Sequence, residues 1–485
     1  MTKFSSYLLL LVAATAVLFS SCSDDDDGTR ATFVLSQSAV YFTAIDQSTV
    51  ITYSGSDIVE LSYDEDDLPD GWSISISRGR QEITITGPTT EDDFESSFTT
   101  ETVTFTATSY DDLSAYDYLT LGTTELSEDI TDQQANSFLV SSPNTIYTFS
   151  AEYKGENEES MSPASVDILW QTSPMPLTYA RLVDGMVEFH VDIDDDDYDS
   201  DDLEDDIIEG NAVIAAYDSS GDIIWSWHIW VSDYSIEEST VTLDGVTLMG
   251  RNLGANDNST YDDDTILESY GLYYQWGRKD PFVGPYYYNA ASGTDASMLN
   301  QYGSSASITY SESTSTIGTL EYATENPLTF ILGVEDSEYD WIYEDHTGDL
   351  WGATKTINDP CPKGWRVASP DVYAGLSIPV LSDSERGEIA DDYGWYLSDA
   401  AGNSALFMGL GRRAYITGKI QNVNLNILKP SPWAGYYWTA SSDQATVNSS
   451  VAMYFAYDES DIDSNEINNK SLYRSNGMQV RCQRN

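Results

Sequence analysis

The chain has 485 residues, of which 81 are acidic and 21 basic, so its formal charge at pH 7 is −60. A surface of this charge excludes nucleic acid as a partner, because such binding requires Lys and Arg to neutralise phosphates. Hydrophobic residues make up 41% of the chain and 34 residues are tyrosine, which excludes a disordered acidic tail. A length of this size predicts about three domains.

The first 21 residues read as a signal peptide. Lys3 precedes an apolar run over 7–19, and two serines stand directly before Cys22. A charged start, a short apolar middle and a small-residue exit are typical of a secretory leader. The run is too short to span a bilayer comfortably, which argues against a retained membrane helix.

The junction "SSC" at 20–22 resembles a bacterial lipobox. The resemblance implies that the peptidase cuts just before Cys22 and that diacylglycerol and an N-acyl chain are then attached to this residue. Several fatty-acid (palmitate-like) chains are needed because one binds a membrane only marginally. An ordinary cleaved leader followed by a free cysteine is the alternative.

The acidic tether over 22–30 contains "SDDDD" at 23–27. This run resembles the acidic export signal of Bacteroidota surface lipoproteins, which implies a lipid-anchored position on the outer membrane that faces the cell exterior. A solvated acidic tether is the alternative, since blocks of like charge are usually disordered. Both interpretations can hold together.

Two cysteines remain, Cys361 and Cys482. An exported protein folds in an oxidising compartment, where a leftover pair commonly forms a disulfide. In the chain-entropy model such a bond stabilises the fold by a little under ~5 kcal/mol. Neither cysteine has a Cys or His close by in sequence, which argues against a metal or redox role.

Residues 31–123 predict an immunoglobulin-like β-sandwich. Segments such as "STVITYS", "EITITG" and "ETVTFTATS" are rich in β-branched and aromatic residues and are separated by turn residues. "LPDGW" at 68–72 predicts a turn, because Pro69 fixes φ and Asp70-Gly71 favours the bend. "SEDITDQQ" then reads as a linker.

A second β-sandwich is predicted over 134–235. "GNAVIAAYDSSGDIIWSWHIW" reads as a hairpin that turns at "DSSGD". Its second strand is apolar on both faces, which indicates a central strand or one covered by a neighbouring domain. Buried packing is the favoured role of its tryptophans over sugar stacking. With "ANSFLVSSPNTIYTFSAEYKG", this segment resembles a β-domain of Bacteroidota surface and fimbria-associated lipoproteins.

The segment "DIDDDDYDSDDLEDD", Asp192 to Asp206, is acidic enough to suggest a calcium loop but does not match one. An EF-hand places Gly at position six and a bidentate Glu at position twelve, whereas here those positions are Asp197 and Leu203. A solvated insertion between strands is expected, with weak calcium binding as the alternative.

The region 240–485 carries "VTLMGRNLGAN", "YGLYYQWGRKDPF", "ENPLTFI", "DPCPKGWRV", "GYYWTASS" and "GMQVRCQRN" in that order. Together these blocks resemble the Fibrobacter succinogenes major paralogous domain, a C-type-lectin-like family. The resemblance implies an α+β fold whose first and last strands lie side by side, and a disulfide from Cys361 to Cys482 at that base. Trp276, Trp365 and Trp438 are expected in the core. The predicted fold class is therefore multidomain and mainly β, with two sandwiches and a lectin-like head.

Site motifs are scarce in this region. The Glu-Pro-Asn and Trp-Asn-Asp motifs of calcium-dependent lectins are absent from the sequence, so fold likeness does not license sugar binding. The loop "YDESDIDSNEINNKS" at 457–471 offers Asp458, Asp461 and Asp463 as weak candidate ligands for Ca²⁺ as a cofactor; a solvated hairpin tip is the alternative. "GLGRRA" at 409–414 matches a dinucleotide fingerprint without its βαβ context and reads as a glycine turn before a strand.

No catalytic motif occurs, and the three histidines are too scattered for a multi-histidine metal centre. We therefore expect a non-enzymatic surface lipoprotein that binds a glycan or protein ligand through its C-terminal domain. One alternative is a structural fimbria-associated or tip subunit that contacts other fimbrial subunits by strand donation. Another is an accessory glycan-binding component of an uptake system.

Overall fold

The computed structural model describes residues 31–98, 100–156, 159–193, 207–258, 267–285, 295–344, 346–377, 394–409, 411–421, 433–443, 445–457 and 466–485. Cys22, the signal peptide and tether, and the candidate ligands Asp458, Asp461 and Asp463 lie outside the described residues. The chain is a multidomain, mainly β protein, as predicted. Among the described residues, no helix has the length and apolar character needed to cross a membrane.

The first unit is a sandwich of two sheets with the strand orders β1-β3-β6-β5 and β2-β8-β7-β4. Its elements are β1 (Thr32–Leu35), β2 (Ala39–Phe42), β3 (Ser48–Ser56), β4 (Glu60–Tyr63), β5 (Ser73–Ser77), β6 (Glu82–Thr86), α1 (Glu91–Glu95), β7 (Glu101–Thr108) and β8 (Ser114–Thr123). Strand β7 shows why the two sheets pack together. Val103, Phe105 and Ala107 are fully buried and alternate with threonines on the outer face, the period of a half-buried strand.

The predicted turn at 68–72 is present. Gly71 has φ +82°, and a Cβ there would lie 2.9 Å from Cβ of Asp93, so glycine is required by both backbone and space. The Trp72 amide donates to the Pro69 carbonyl at 3.2 Å. The Trp72 ring then stacks on Phe42 at 5.1 Å between centroids and closes one end of the core.

The second unit has one sheet with the order β15-β16-β11-β9 and a larger one that begins β10-β18-β17-β14. Its strands are β9 (Leu126–Asp129), β10 (Ser137–Val140), β11 (Thr145–Ser150), β12 (Tyr153–Lys154), β13 (Glu159–Ser160), β14 (Ser165–Thr172), β15 (Leu177–Val183), β16 (Met186–Val191), β17 (Gly210–Tyr217) and β18 (Ile223–Val231). The hairpin predicted around "DSSGD" is β17–β18.

The segment predicted as a linker, "SEDITDQQ", forms regular secondary structure that belongs to the second unit. Its first three residues belong to edge strand β9, which pairs in parallel with β11, and a 3₁₀ turn follows at Thr131–Gln133. All four β9 side chains, including Leu126, are exposed, so the strand lacks the alternation of buried and exposed residues that would predict it. Strand pairing uses backbone groups, which every one of these residues supplies.

Both faces of β18 are covered, as its apolar pattern predicted. Trp225 and Trp227 are packed inside the second sandwich. Trp230, on the opposite face, belongs to the core of the C-terminal region. The tryptophans are at most 3% exposed, so packing, rather than sugar stacking, is their role.

The C-terminal region contains short sheets, including β19-β20-β35-β26, β21-β34-β29-β30 and β31-β32-β33. Its elements are β19 (Val241–Leu243), β20 (Val246–Leu248), β21 (Tyr274–Gln275), β22 (Met298–Leu299), β23 (Ser305–Ala306), β24 (Thr309–Glu312), α2 (Leu320–Glu325), β25 (Thr329–Leu332), β26 (Trp365–Val367), α3 (Pro370–Ala374), β27 (Gly394–Ser398), β28 (Ser404–Met408), β29 (Arg412–Arg413), β30 (Ile420–Gln421), β31 (Trp433–Ser442), β32 (Ser449–Tyr457), β33 (Glu466–Tyr473), β34 (Gly477–Met478) and β35 (Cys482–Arg484).

The last strand of the chain closes this region. β35 pairs with β20, near the region's start, and with β26. Cys361 and Cys482 are joined by a disulfide with a Cα–Cα distance of 6.0 Å, and both are fully buried. The disulfide that the sequence resemblance implied is therefore present. The last strand lies beside β20, the second strand of the region, rather than beside β19, the first.

The second unit and the C-terminal region share one sheet and one core. β14 pairs with β22, and β22 with β23, so the larger sheet of the second unit continues into residues 298–306. Trp170 and Trp230 of the second unit lie in the same hydrophobic cluster as Met249 and Tyr274. The boundary predicted near residue 240 therefore does not separate two cores, because the packing crosses it.

A buried polar contact also crosses this boundary. The Lys279 ammonium donates to the Ser226 carbonyl at 3.0 Å and to the Asp280 carboxylate at 2.6 Å, and lies 4.4 Å from the centroid of the Trp225 ring. Burial lowers the pKa of Lys279, and the Asp280 carboxylate opposes that shift. A buried charge needs such a partner because its isolated burial is costly.

Candidate functional site

A cleft of about 380 Å³ opens on the C-terminal region. It lies where β29, the start of β32, the end of β33 and the turn before β34 meet. Its lining residues combine aromatic, hydroxyl, amide and guanidinium groups: Arg412, Tyr415, Thr446, Ser449, Ser471, Leu472, Tyr473 and Asn476. Ligand sites are usually concave and combine aromatic or apolar surface with a few converging polar groups. This cleft has both, with its two tyrosines and Leu472 as the aromatic and apolar part.

Three half-buried tyrosines form one wall of the cleft and its support. We call Tyr339, Tyr415 and Tyr473 the tyrosine trio. Their ring centroids are 5.0 Å apart for Tyr415–Tyr473, 5.2 Å for Tyr339–Tyr473 and 5.4 Å for Tyr339–Tyr415. Aromatic pairs at these distances attract each other beyond their buried area. The trio therefore offers a preformed, partly open aromatic surface.

Tyr339 is held in place by an unusual backbone. Glu338 and Tyr339 have φ values of +52° and +64°, in the left-handed region that bulky residues rarely adopt. The Tyr339 amide donates to the Val334 carbonyl at 2.8 Å, and the Asn448 side chain donates to the Glu338 carbonyl at 2.5 Å. Such strain costs about 1–3 kcal/mol per residue and is concentrated at functional sites.

A buried charged group directly follows two tyrosines of the trio in the chain: Asp340 follows Tyr339, and Arg474 follows Tyr473. The Asp340 carboxylate contacts Nδ1 of His346 at 3.0 Å and Nη1 of Arg474 at 3.6 Å. The hydrogen bond that the Asp340 carboxylate accepts from His346 raises the pKa of His346, whereas burial raises the pKa of Asp340. The Arg474 guanidinium also lies 4.7 Å from the Trp276 ring centroid, which places it against the core of the region.

The floor of the cleft contains a buried amide. Asn476 is 1% exposed and its Nδ2 donates to the Tyr473 carbonyl at 2.7 Å. Its Oδ1 has no hydrogen-bond partner among the described residues. An unpaired buried acceptor costs about 1–3 kcal/mol. A donor group that reaches the floor would remove that cost.

Arg412 brings a positive charge to the cleft. Its guanidinium lies 5.0 Å from the Tyr436 ring centroid, and its Nε has no hydrogen-bond partner among the described residues. The next residue, Arg413, behaves differently, because it is fully buried and pairs with Asp295 at 2.6 Å. Within the described part of the chain, Arg412 forms no ion pair.

Of the site residues predicted from the sequence, those that the structure describes do not lie in the cleft. Cys361 and Cys482 are joined, while Cys22 and the three candidate aspartates lie outside the described residues. Among the described residues, no three His, Cys, Asp or Glu side chains are placed to hold a metal ion. His190 and His228 are buried, and burial lowers the pKa of each to about 3, so both are neutral.

Sequence reasoning did not find the cleft. The "GLGRRA" run is interpreted from sequence as a glycine turn before a strand, which places Arg412 at the strand's start but not in a cleft. The strand observed there, β29, is Arg412–Arg413. The trio comes from three separate segments, and three tyrosines do not stand out among 34. The Tyr-Arg-Ser-Asn run at 473–476 is the one local signal, since it places aromatic, charged and amide side chains together.

Comparison with known proteins leaves the family open. No family model matches the chain, and no curated protein matches it.

Among solved structures, three immunoglobulin domains of titin match at 12% identity and a TM-score of 0.15, over 42% of this chain and 66% of that one. The N-terminal Ig1-2 module of the Drosophila receptor protein tyrosine phosphatase DLAR matches at 10% identity and a TM-score of 0.16, over 42% and 99%. The human desmocollin-1 ectodomain matches at 10% and 0.15, over 48% and 45%. The chain thus spans under two thirds of the titin and desmocollin structures. These scores carry no argument about function.

Proposed function

We propose that this chain is a non-enzymatic recognition protein whose C-terminal region binds a glycan or protein ligand in the cleft of the tyrosine trio. The observation that carries the proposal is the arrangement of the trio around the buried amide of Asn476. Aromatic rings supply contact area at low entropic cost, and the amide supplies directional hydrogen bonding. Together they can hold the face of a sugar ring or an aromatic or aliphatic side chain.

The proposed location is the outer membrane, with the acylated Cys22 as the anchor and the acidic tether as the export signal. A negatively charged, disulfide-containing chain suits an exterior position, because its charge keeps it soluble and its bond is stable in an oxidising compartment. In this arrangement the two N-terminal units carry a C-terminal head, proposed to be C-type-lectin-like. Protease added to intact cells should remove the head, whereas intact modules after such treatment would contradict the surface position.

The test of function is a binding screen of residues 23–485 on a mixed array of glycans and host proteins, with and without Ca²⁺. The proposal expects at least one ligand, and that ligand should bind without Ca²⁺ because the cleft is built from protein groups. Binding nowhere would overturn the proposal in favour of the structural fimbrial role. Binding only with Ca²⁺ would move the site away from the cleft.

A further inference from the structure

We infer that the cleft is selective for a carboxylated sugar, such as a hexuronic acid unit, and that Arg412 is the residue that selects it. The inference rests on the proposed function, because it names the ligand class of the same cleft. Three observations carry it: the uncompensated charge of Arg412, the open aromatic surface of the trio, and the unpaired acceptor of Asn476.

The charge of Arg412 is the first observation. Arg412 lines the cleft, and among the described residues its guanidinium has neither an ion pair nor a hydrogen bond. The other described arginines all have one or the other. Some contact a carboxylate: Arg80, Arg181, Arg413, Arg474 and Arg484. The rest donate to a carbonyl or amide oxygen: Arg78, Arg251, Arg278, Arg366 and Arg481. A guanidinium binds a carboxylate through two parallel, charge-assisted hydrogen bonds. A carboxylated ligand would therefore supply the partner that the chain does not.

The aromatic surface is the second observation. Tyr415 and Tyr473 line the same cleft as Arg412. Among the described residues, no hydrogen bond involves the hydroxyl groups of the trio, so these groups remain able to bond a ligand. A sugar ring has apolar C–H faces and polar edges. It thus matches a wall of tyrosine rings beside an amide and hydroxyl floor.

The hydroxyl and amide groups define the third part of the match. The Oδ1 atom of Asn476 has no hydrogen-bond partner within the described part of the chain and is able to accept one hydrogen bond. A sugar hydroxyl is able to donate that bond. A carboxylate alone cannot donate, so it would leave this acceptor unsatisfied. A ligand with both a carboxylate and hydroxyl groups satisfies Arg412 and Asn476 together, which favours an acidic sugar over a simple carboxylate.

The net charge of the protein opposes this ligand at long range. At physiological ionic strength, however, the Debye length is about 8 Å, so exposed acids beyond that distance are largely screened. A charge-assisted hydrogen bond at contact contributes about 1.5–3 kcal/mol. The contact with Arg412 therefore contributes more to the binding free energy than the long-range repulsion between the protein's negative charge and the ligand. This repulsion mainly lowers the association rate.

The test compares two ligands that differ only in the carboxylate: a glucuronic acid oligosaccharide and the matching glucose oligosaccharide. Both are titrated calorimetrically into residues 23–485 at 0.15 M salt (about the physiological ionic strength). We expect the acidic sugar to bind about tenfold or more tightly, the factor that ~1.4 kcal/mol gives. Arg412→Gln should remove this preference and keep the affinity for the neutral sugar. Arg412→Lys should retain part of it.

The matched control is Arg80→Gln, which removes the same charge from an exposed arginine of the first sandwich. It should leave both affinities unchanged. Equal binding of the two sugars to the unaltered chain would overturn the inference while the cleft itself stands. A folded Arg412→Gln variant that loses both sugars equally would also overturn it, because Arg412 would then act only by packing on Tyr436. Absence of any ligand on the array is the separate result that overturns the proposed function.

Discussion

Two aromatic groups of the C-terminal region differ in what surrounds them. We call Trp276, Trp341, Trp351 and Trp438 the tryptophan cluster; each is at most 1% exposed. Every indole N–H of the cluster donates to a backbone carbonyl: Trp276 to Thr439, Trp341 to Trp276, Trp351 to Asn358 and Trp438 to Tyr274, at 2.8–2.9 Å. The rings of the tyrosine trio are half-buried instead, and their hydroxyls have no such partner among the described residues.

This difference indicates that the tryptophan cluster stabilises the fold, whereas the tyrosine trio is available to contact a ligand. A buried ring whose polar atom is already satisfied has nothing left to offer a ligand, so its removal costs folding free energy. A partly exposed ring with an unused hydroxyl contributes less to folding and retains capacity for binding. Substitutions in the tryptophan cluster should therefore lower mainly the free energy of unfolding, and substitutions in the tyrosine trio mainly the affinity for ligand.

The largest effect is expected from removal of the Cys361–Cys482 bond, which fixes the C-terminus on the side of the tryptophan cluster. The bond closes a loop of 121 residues, and the chain-entropy model gives about 4–5 kcal/mol for such a loop. Urea unfolding of the Cys361→Ala/Cys482→Ala variant should show a loss of this size. An unchanged midpoint would mean that strand pairing alone fixes the C-terminus.

The next effect is expected for Trp438→Ala. This substitution removes a fully buried ring and leaves the Tyr274 carbonyl without its donor, so the free energy of unfolding should fall by about 3–5 kcal/mol. Tyr473→Ala, at a half-buried ring, should cost under about 1.5 kcal/mol on the same scale. Equal losses in the free energy of unfolding for the two variants would contradict the claim that the tryptophan cluster stabilises the fold more than the tyrosine trio does.

Two histidines should differ as well in how each makes the free energy of unfolding depend on pH. His346, which contacts Asp340, has a raised pKa in the folded chain. Its contribution to stability is therefore present below the unfolded value near 6.5 and is lost as the pH rises through the raised pKa. Chemical unfolding of His346→Gln and the unaltered chain across pH 5–8 should show the largest difference at the acidic end (the span in which an unperturbed histidine titrates).

His228, buried where the second unit meets the C-terminal region, should show the opposite sign. Its pKa falls to about 3 in the folded chain, so acidification below about 6.5 protonates only the unfolded state and lowers stability. His228→Gln should lose less stability between pH 6.5 and 4 than the unaltered chain does. Parallel curves would show that His228 is not held neutral.

The sequence predicts some of this organisation because the relevant signals are local. The hairpin around "DSSGD", the turn at Gly71 and the alternation of β7 depend on residues that are close in the chain. The buried state of Trp276, Trp365 and Trp438 follows from their place in the motif blocks, and they are at most 5% exposed.

The rest depends on contacts between distant residues. Tyr339 and Tyr473 are 134 positions apart, and no periodicity connects them. The pairing of β14 with β22 joins segments on both sides of the predicted boundary through backbone groups. Backbone pairing leaves little trace in side-chain patterns, and this is why neither the shared sheet nor the cleft was predictable.

The central claim is that the cleft of the tyrosine trio binds the ligand. It is tested most directly by calorimetric titration of the strongest ligand from the array screen into the unaltered chain, Tyr473→Ala and Tyr118→Ala. Tyr118 is 56% exposed on the first sandwich, so its variant controls for loss of an exposed tyrosine ring. The account predicts at least a tenfold loss of affinity (about 1.4 kcal/mol) for Tyr473→Ala and none for Tyr118→Ala. Unchanged affinity of a folded Tyr473→Ala variant would contradict it.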